Sequence, residues 1–187
     1  MQMKTRSIQI WTIGHSTRSF EEFAALLEEN AIAALADVRQ FPGSRRYPQF
    51  GREQLSAALT ARHIEYQHFP ELGGRRKALA DSPNIAWRHE AFRGYADYMM
   101  TEPFRGGIKR LAALAVEKRT AIMCAEAVWW KCHRSLISDF LKAHGGHVIH
   151  IFAPGKTEPH PYTSAARLVN GKLTYAAAEM ETEFHFE

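Results

Sequence analysis

The stretch Cys124-Ala125-Glu126-Ala127-Val128-Trp129-Trp130-Lys131-Cys132-His133-Arg134 decides how this chain is read. It collects both cysteines, a carboxylate, an imidazole, a guanidinium and two of the four tryptophans. Before it, Arg119–Cys124 carries the apolar run of a strand. After it, a helix is predicted from about Lys131, with Leu136, Ile137, Phe140 and Leu141 at the spacing of one helical face. Reactive side chains at a strand-to-helix turn point to a site, because open α/β sheets bind ligands beyond the carboxyl ends of their strands.

Upstream, strand and helix patterns alternate. Ile8–Ile13 reads as a first strand. Ser19 precedes Glu22 by three residues, a capping-box spacing, and Phe20, Phe23, Leu26 and Leu27 give the buried face of a helix to about Asn30. Ala33–Val38 is a second strand, Glu53–Arg62 a short helix and Ile64–Phe69 a third strand. Glu71–His89 is loop-like. A helical region is predicted from Phe92, broken at Glu102-Pro103 and resuming through Phe104, Ile108, Leu111, Leu114 and Ala115, with Gly106-Gly107 weakening its first turn. Gly145-Gly146 ends the helix that follows Cys132, and His147–Phe152 reads as a fifth strand. Asn170-Gly171, between short apolar segments in Arg167–Tyr175, signals a hairpin. The expected fold is α/β: a mainly parallel open sheet with helices on both faces, Rossmann-like and three-layered, plus a C-terminal hairpin at an edge or over one end. One domain is expected over residues 1–187, with 153–187 as an extension packed on it; the pattern leaves the strand order open.

Composition narrows the class. With 187 residues, 45% hydrophobic and 24% charged, the chain has the makings of one soluble core. No apolar stretch approaches the roughly 20 residues of a membrane span, and Met1–Arg6 leads into a strand pattern without a signal-peptide apolar region, so a cytoplasmic location is expected. Two cysteines do not make a disulfide framework. Glu179, Glu181, Glu183 and Glu187 crowd the tail, so removing these four negative charges from the net +4 leaves +8 on the rest. That excess suggests an anionic partner.

The pieces Thr12-Ile13-Gly14-His15-Ser16, Asp37-Val38-Arg39, Phe41-Pro42-Gly43-Ser44-Arg45-Arg46, Pro48-Gln49-Phe50, Pro70-Glu71-Leu72-Gly73-Gly74-Arg75, Phe92-Arg93-Gly94-Tyr95-Ala96, Cys124-Ala125-Glu126 and Cys132-His133-Arg134 together resemble the prokaryotic family catalogued as domain of unknown function 488. The resemblance implies the fold and no particular reaction. Leu35-Ala36-Asp37-Val38-Arg39 also looks like the strand end of rhodaneses. Rhodanese chemistry is disfavoured, because Trp129 and Trp130 stand where the loop-closing arginine belongs and Arg134 lies further along.

On this fold the strand ends would gather His15, Ser16, Asp37, Arg39, Glu71 and the Cys124–Arg134 turn, with Arg45, Arg46, Arg75 and Arg76 from the loops. Guanidinium groups suit phosphate or carboxylate recognition through paired charge-assisted hydrogen bonds; the plain alternative is structural pairing with Asp37, Glu71, Glu126 and Asp81. Cys124 is a nucleophile, a metal ligand or core packing. Cys132, near a helix start and beside His133 and Arg134, has the features that lower a thiol pKa. Trp129, Trp130, Phe41, Tyr47 and Phe50 could stack a base or cap the core.

The leading expectation is an enzyme with a reactive centre of Cys124, Glu126, Cys132, His133 and His15. Ser16, Arg39, Arg45, Arg46, Glu71, Arg75 and Arg134 would bind a phosphate-bearing substrate, a nucleotide or nucleic acid. The alternatives are a non-catalytic nucleotide or nucleic-acid binder and a metal-binding or thiol redox sensor. No metal site is assigned, no motif identifies a cofactor, and no membrane partner is expected.

Overall fold

The computed structural model describes residues 8–43 and 45–177. Met1–Arg6, Ser44 and the acidic tail from Glu179 lie outside the described residues. Five strands run parallel: β1 (Gln9–Gly14), β2 (Ala34–Asp37), β3 (Glu65–His68), β4 (Thr120–Cys124) and β5 (His147–Ala153). The sheet order is β3-β2-β4-β1-β5-β6, where β6 (Lys156–Pro159) is antiparallel and extends the β5 edge.

Side chains that alternate along the strands build two cores. Trp11, Ile13, Leu35, Ala121 and Met123 pack on one face under α1 (Phe20–Glu29) and α2 (Arg52–Thr60). Ile10, Ala36, Ile122 and Cys124 pack on the other, under α3 (Glu90–Tyr98), α4 (Glu102–Glu117) and α5 (Arg134–Ala143). The expected three-layer α/β fold is therefore present. β4 lies between β2 and β1, whose outgoing connections cross the opposite face from its own. Its carboxyl end is a topological switch point, where such sheets open a crevice.

Local expectations hold where the signal is local. Ser19 and Glu22 form the reciprocal capping box of α1. Asn170 and Gly171, with φ of 51° and 74°, join β7 (Arg167–Val169) to β8 (Lys172–Thr174) in the left-handed pair that hairpin turns prefer. This hairpin pairs only with itself among the described residues. Its neighbours Ala165 and Tyr175 are buried in the α5-side core.

Two boundaries differ from expectation. Glu102-Pro103 opens α4 instead of breaking a helix, because the first turn makes no use of the amide hydrogen that proline lacks. α5 begins at Arg134, not near Lys131. Trp129–Lys131 forms a separate 3₁₀ turn, Cys132 is extended, and its carbonyl receives the Ser135 amide (2.9 Å) and hydroxyl (2.8 Å). Among the described residues no helix is long and apolar enough to cross a membrane.

Candidate active site

Gly14 and Cys124 end adjacent strands in register. The two turns that follow are stitched together: the amides of His15 and Ser16 donate to the carbonyls of Cys124 (3.0 Å) and Ala125 (2.9 Å). A Cβ on Gly14 would stand 1.8 Å from the Glu126 carbonyl oxygen, so only glycine admits this approach. That oxygen accepts Arg134 Nη2 at 2.7 Å, while Arg134 Nε donates to Cys124 Sγ at 3.0 Å and Nη1 to Thr12 Oγ1 at 3.2 Å. Arg134 is 1% exposed and every nitrogen is engaged, so this guanidinium holds the centre together. The ten-residue separation from Cys124 does not keep them apart, because residues 125–133 loop out and return.

Cys132, also buried, completes the cluster. Its Sγ lies 3.4 Å from His133 Nδ1. His133 Nε2 lies 2.9 Å from the Val38 carbonyl, which only accepts, so Nε2 carries the proton and Nδ1 faces the thiol bare. The two thiols are in hydrogen-bond contact and titrate as a pair. Burial pushes Cys124 well up, reinforced by its hydrogen bond to Cys132. For Cys132, burial also pushes upward, but the hydrogen bond from Cys124 and the Arg134 cation and amide bring it down to about 7. Burial lowers His133 and keeps it neutral, a base and not an imidazolium.

A second cluster sits at the end of β2. Arg39 grips Asp37 with Nε (2.8 Å) and Nη2 (2.5 Å), and Tyr66 donates to the same carboxylate at 2.7 Å. Arg39 Nη1 faces His15 Nε2 at 3.5 Å. His15 stacks on Phe50 (4.3 Å between centroids), and Nδ1 lies 3.0 Å from the Ser16 carbonyl. Burial, helped by the Arg39 and Arg134 charges, lowers His15 to about 4. Arg39 and Asp37 are thus a buried clamp, the pairing named above as the plain alternative for this arginine.

The remaining residues scatter around these clusters. Glu71 pairs with Arg110 of α4 at 2.8 Å. The Glu126 side chain is exposed, and its backbone oxygen makes the contact with Arg134. Ser16 has φ of 49° and contributes its amide to the stitched turns. Arg75 is exposed, with φ of 61°, next to Gly74, whose Cβ position is 3.0 Å from His133 Nδ1. Arg45 and Arg46 are exposed. Arg45 lines an open groove of about 690 Å³ with Phe41, Pro42 and Arg52, and Arg52 continues into a hollow of about 450 Å³ with Tyr66 and His68.

Of the aromatic residues, Phe50 is core and Trp129 stacks on His150 (4.6 Å), whereas Phe41 and Trp130 are exposed. Among the described residues no three His, Cys, Asp or Glu side chains gather as a metal-binding group. Sequence reasoning missed the Val38 carbonyl, Thr12 and Arg52. Thr12 carried a signal, a polar residue inside the apolar run of β1; a backbone carbonyl carries none.

No curated protein and no solved structure matches this chain. The family model described as "Domain of unknown function DUF488" matches residues 19–141, more than half of the chain, and the chain belongs to that family.

Proposed function

We propose that the protein is a cysteine-nucleophile enzyme of the cytoplasm acting on a phosphate-bearing substrate, a nucleotide or nucleic acid. The observation that carries this is the Cys132 Sγ–His133 Nδ1 contact of 3.4 Å, with the imidazole oriented by the Val38 carbonyl. Nucleophile, base and orienting group in line are the arrangement that activates a thiol. The Cys132 proton passes to His133 Nδ1 and the thiolate forms a bond to the electrophilic atom of the substrate. The leaving group departs with the proton that His133 returns, and water later releases the bound fragment and restores the thiol. The net positive charge and the groove at Arg45 and Arg52 favour an anionic substrate. A reducing compartment keeps both thiols free.

The test is incubation with nucleotides and oligonucleotides, followed by product analysis and intact mass. The proposal expects turnover that Cys132→Ser abolishes with the fold retained and that His133→Gln slows sharply, because one imidazole both takes and returns the proton. Ligand binding without turnover, unchanged in Cys132→Ser, would leave a binding module and contradict the enzyme reading. The contact between the two thiols supports a second reading, in which both lose a proton and an electron to a peroxide, forming a disulfide, water and an alcohol. A mass loss of two hydrogens on peroxide treatment, reversed by reductant, would favour it.

A further inference from the structure

A line of buried side chains runs from Arg134 into parts of the chain outside residues 19–141. Arg134 Nη1 donates to Thr12 Oγ1, which lies 2.7 Å from Nδ1 of His150, its partner in register on β5. His150 Nε2 is 2.8 Å from His160 Nδ1, and His160 Nε2 is 3.0 Å from Asp139 Oδ1. Asp139 also accepts the Thr163 amide (2.9 Å), the Thr163 hydroxyl (2.6 Å) and the Tyr175 hydroxyl (3.0 Å). Thr12 and Asp139 are 0% exposed, His150 1% and His160 3%.

The polarity follows from the two ends. The Asp139 carboxylate only accepts, so His160 carries its proton on Nε2 and presents a bare Nδ1. That nitrogen accepts from His150 Nε2–H, leaving His150 Nδ1 to accept the Thr12 hydroxyl proton. The Thr12 oxygen then turns a lone pair to Arg134, which only donates. Burial, helped by the Arg134 charge, holds His150 far below the ordinary imidazole value, in keeping with a neutral ring at that position. Trp129 covers the line, stacked on His150 and edge-on to His160 at 4.9 Å.

We propose that Asp139, His160, His150 and Thr12 are positioning residues, an orienting relay that holds the Arg134 guanidinium against the two thiols. The proposal rests on the reading of Cys132 as the reactive thiol. Arginine keeps its proton, so the relay moves none; it fixes a geometry. β1, β5 and the segment from His160 to Tyr175 complete the centre that the family-matched residues begin.

The experiment measures iodoacetamide alkylation of Cys132 against pH, by peptide mass, in the wild type, Thr12→Val, Thr12→Ser and Asp139→Asn. Cys124, His133, Arg134, Arg76 and Tyr95 act on the centre in all four. Thr12→Val and Asp139→Asn are expected to raise the Cys132 midpoint by about one unit, slowing alkylation near pH 7 about fivefold. Thr12→Ser, which keeps the hydroxyl, is expected to retain the wild-type midpoint. Lower melting temperatures with an unmoved midpoint in both Thr12→Val and Asp139→Asn would overturn the relay alone. An ordinary thiol midpoint in the wild type would overturn the centre and the relay with it.

Discussion

His133 Nε2 donates to the Val38 carbonyl across 2.9 Å, and that bond decides which imidazole nitrogen faces Cys132. Val38 follows β2, Cys132 follows the β4 turn, and His133 caps α5. Three elements that meet only through the sheet order therefore set one tautomer. Gly74 and Tyr95 close around the ring; Tyr95 is 5.2 Å from it and donates to the Leu72 carbonyl at 2.7 Å.

The Gly14 contact predicts a sharp contrast between glycines. Gly14→Ala forces a Cβ into the Glu126 carbonyl, and is expected to destabilise the protein by about 3 kcal/mol while loosening Arg134. Gly106→Ala, in α4 with nothing within 4 Å, should stabilise by roughly 0.5–1 kcal/mol. Urea unfolding of both variants checks the pair; equal effects would mean that the carbonyl does not sit over Gly14.

Acid should weaken the fold through buried neutral histidines. His15 titrates at about 4 in the folded chain against 6.5 when unfolded, and His150 lies lower still. Below about pH 6.5 the unfolded chain takes up protons that the folded chain refuses, so stability falls as pH drops. The loss from His15 ends near pH 4, whereas that from His150 continues below it. Each contributes up to about 1.4 kcal/mol per pH unit within its window. Urea midpoints measured from neutral to acid pH should show the slope, and His15→Gln should flatten it.

Anion binding is expected to be a property of the groove and not of the buried arginines. Replacing both Arg45 and Arg46 with Ala should weaken binding of a phosphate-bearing ligand, more at low salt than at high salt. Their exposure means that the fold should survive. Salt titrations of nucleotide affinity check this, and an unchanged affinity would remove these residues from the site.

What the sequence disclosed follows the range of each interaction. The capping box of Ser19 and Glu22 spans three residues, and the Asn170-Gly171 turn is adjacent in the chain, so both were legible. Glu102-Pro103 marks a helix boundary without disclosing which end it is, because proline both starts and stops helices. Cys132, His133 and Arg134 were legible as reactive types, but whether neighbours share a direction depends on the 3₁₀ turn before them. Thr12 and His150 stand 138 residues apart and meet through strand register. Their only sequence trace is polarity inside apolar strands, which Asp139 repeats on the buried face of α5.

The most direct test of the account is the pH profile of iodoacetamide alkylation of the native protein, resolved by peptide mass for each cysteine. The Cys124–Cys132 pair beside Arg134 and His133 predicts that Cys132 reacts first, with a midpoint near 7, and that His133→Gln slows it. Equal, slow labelling of both thiols, rising only on denaturation, would show two structural cysteines and contradict the nucleophile.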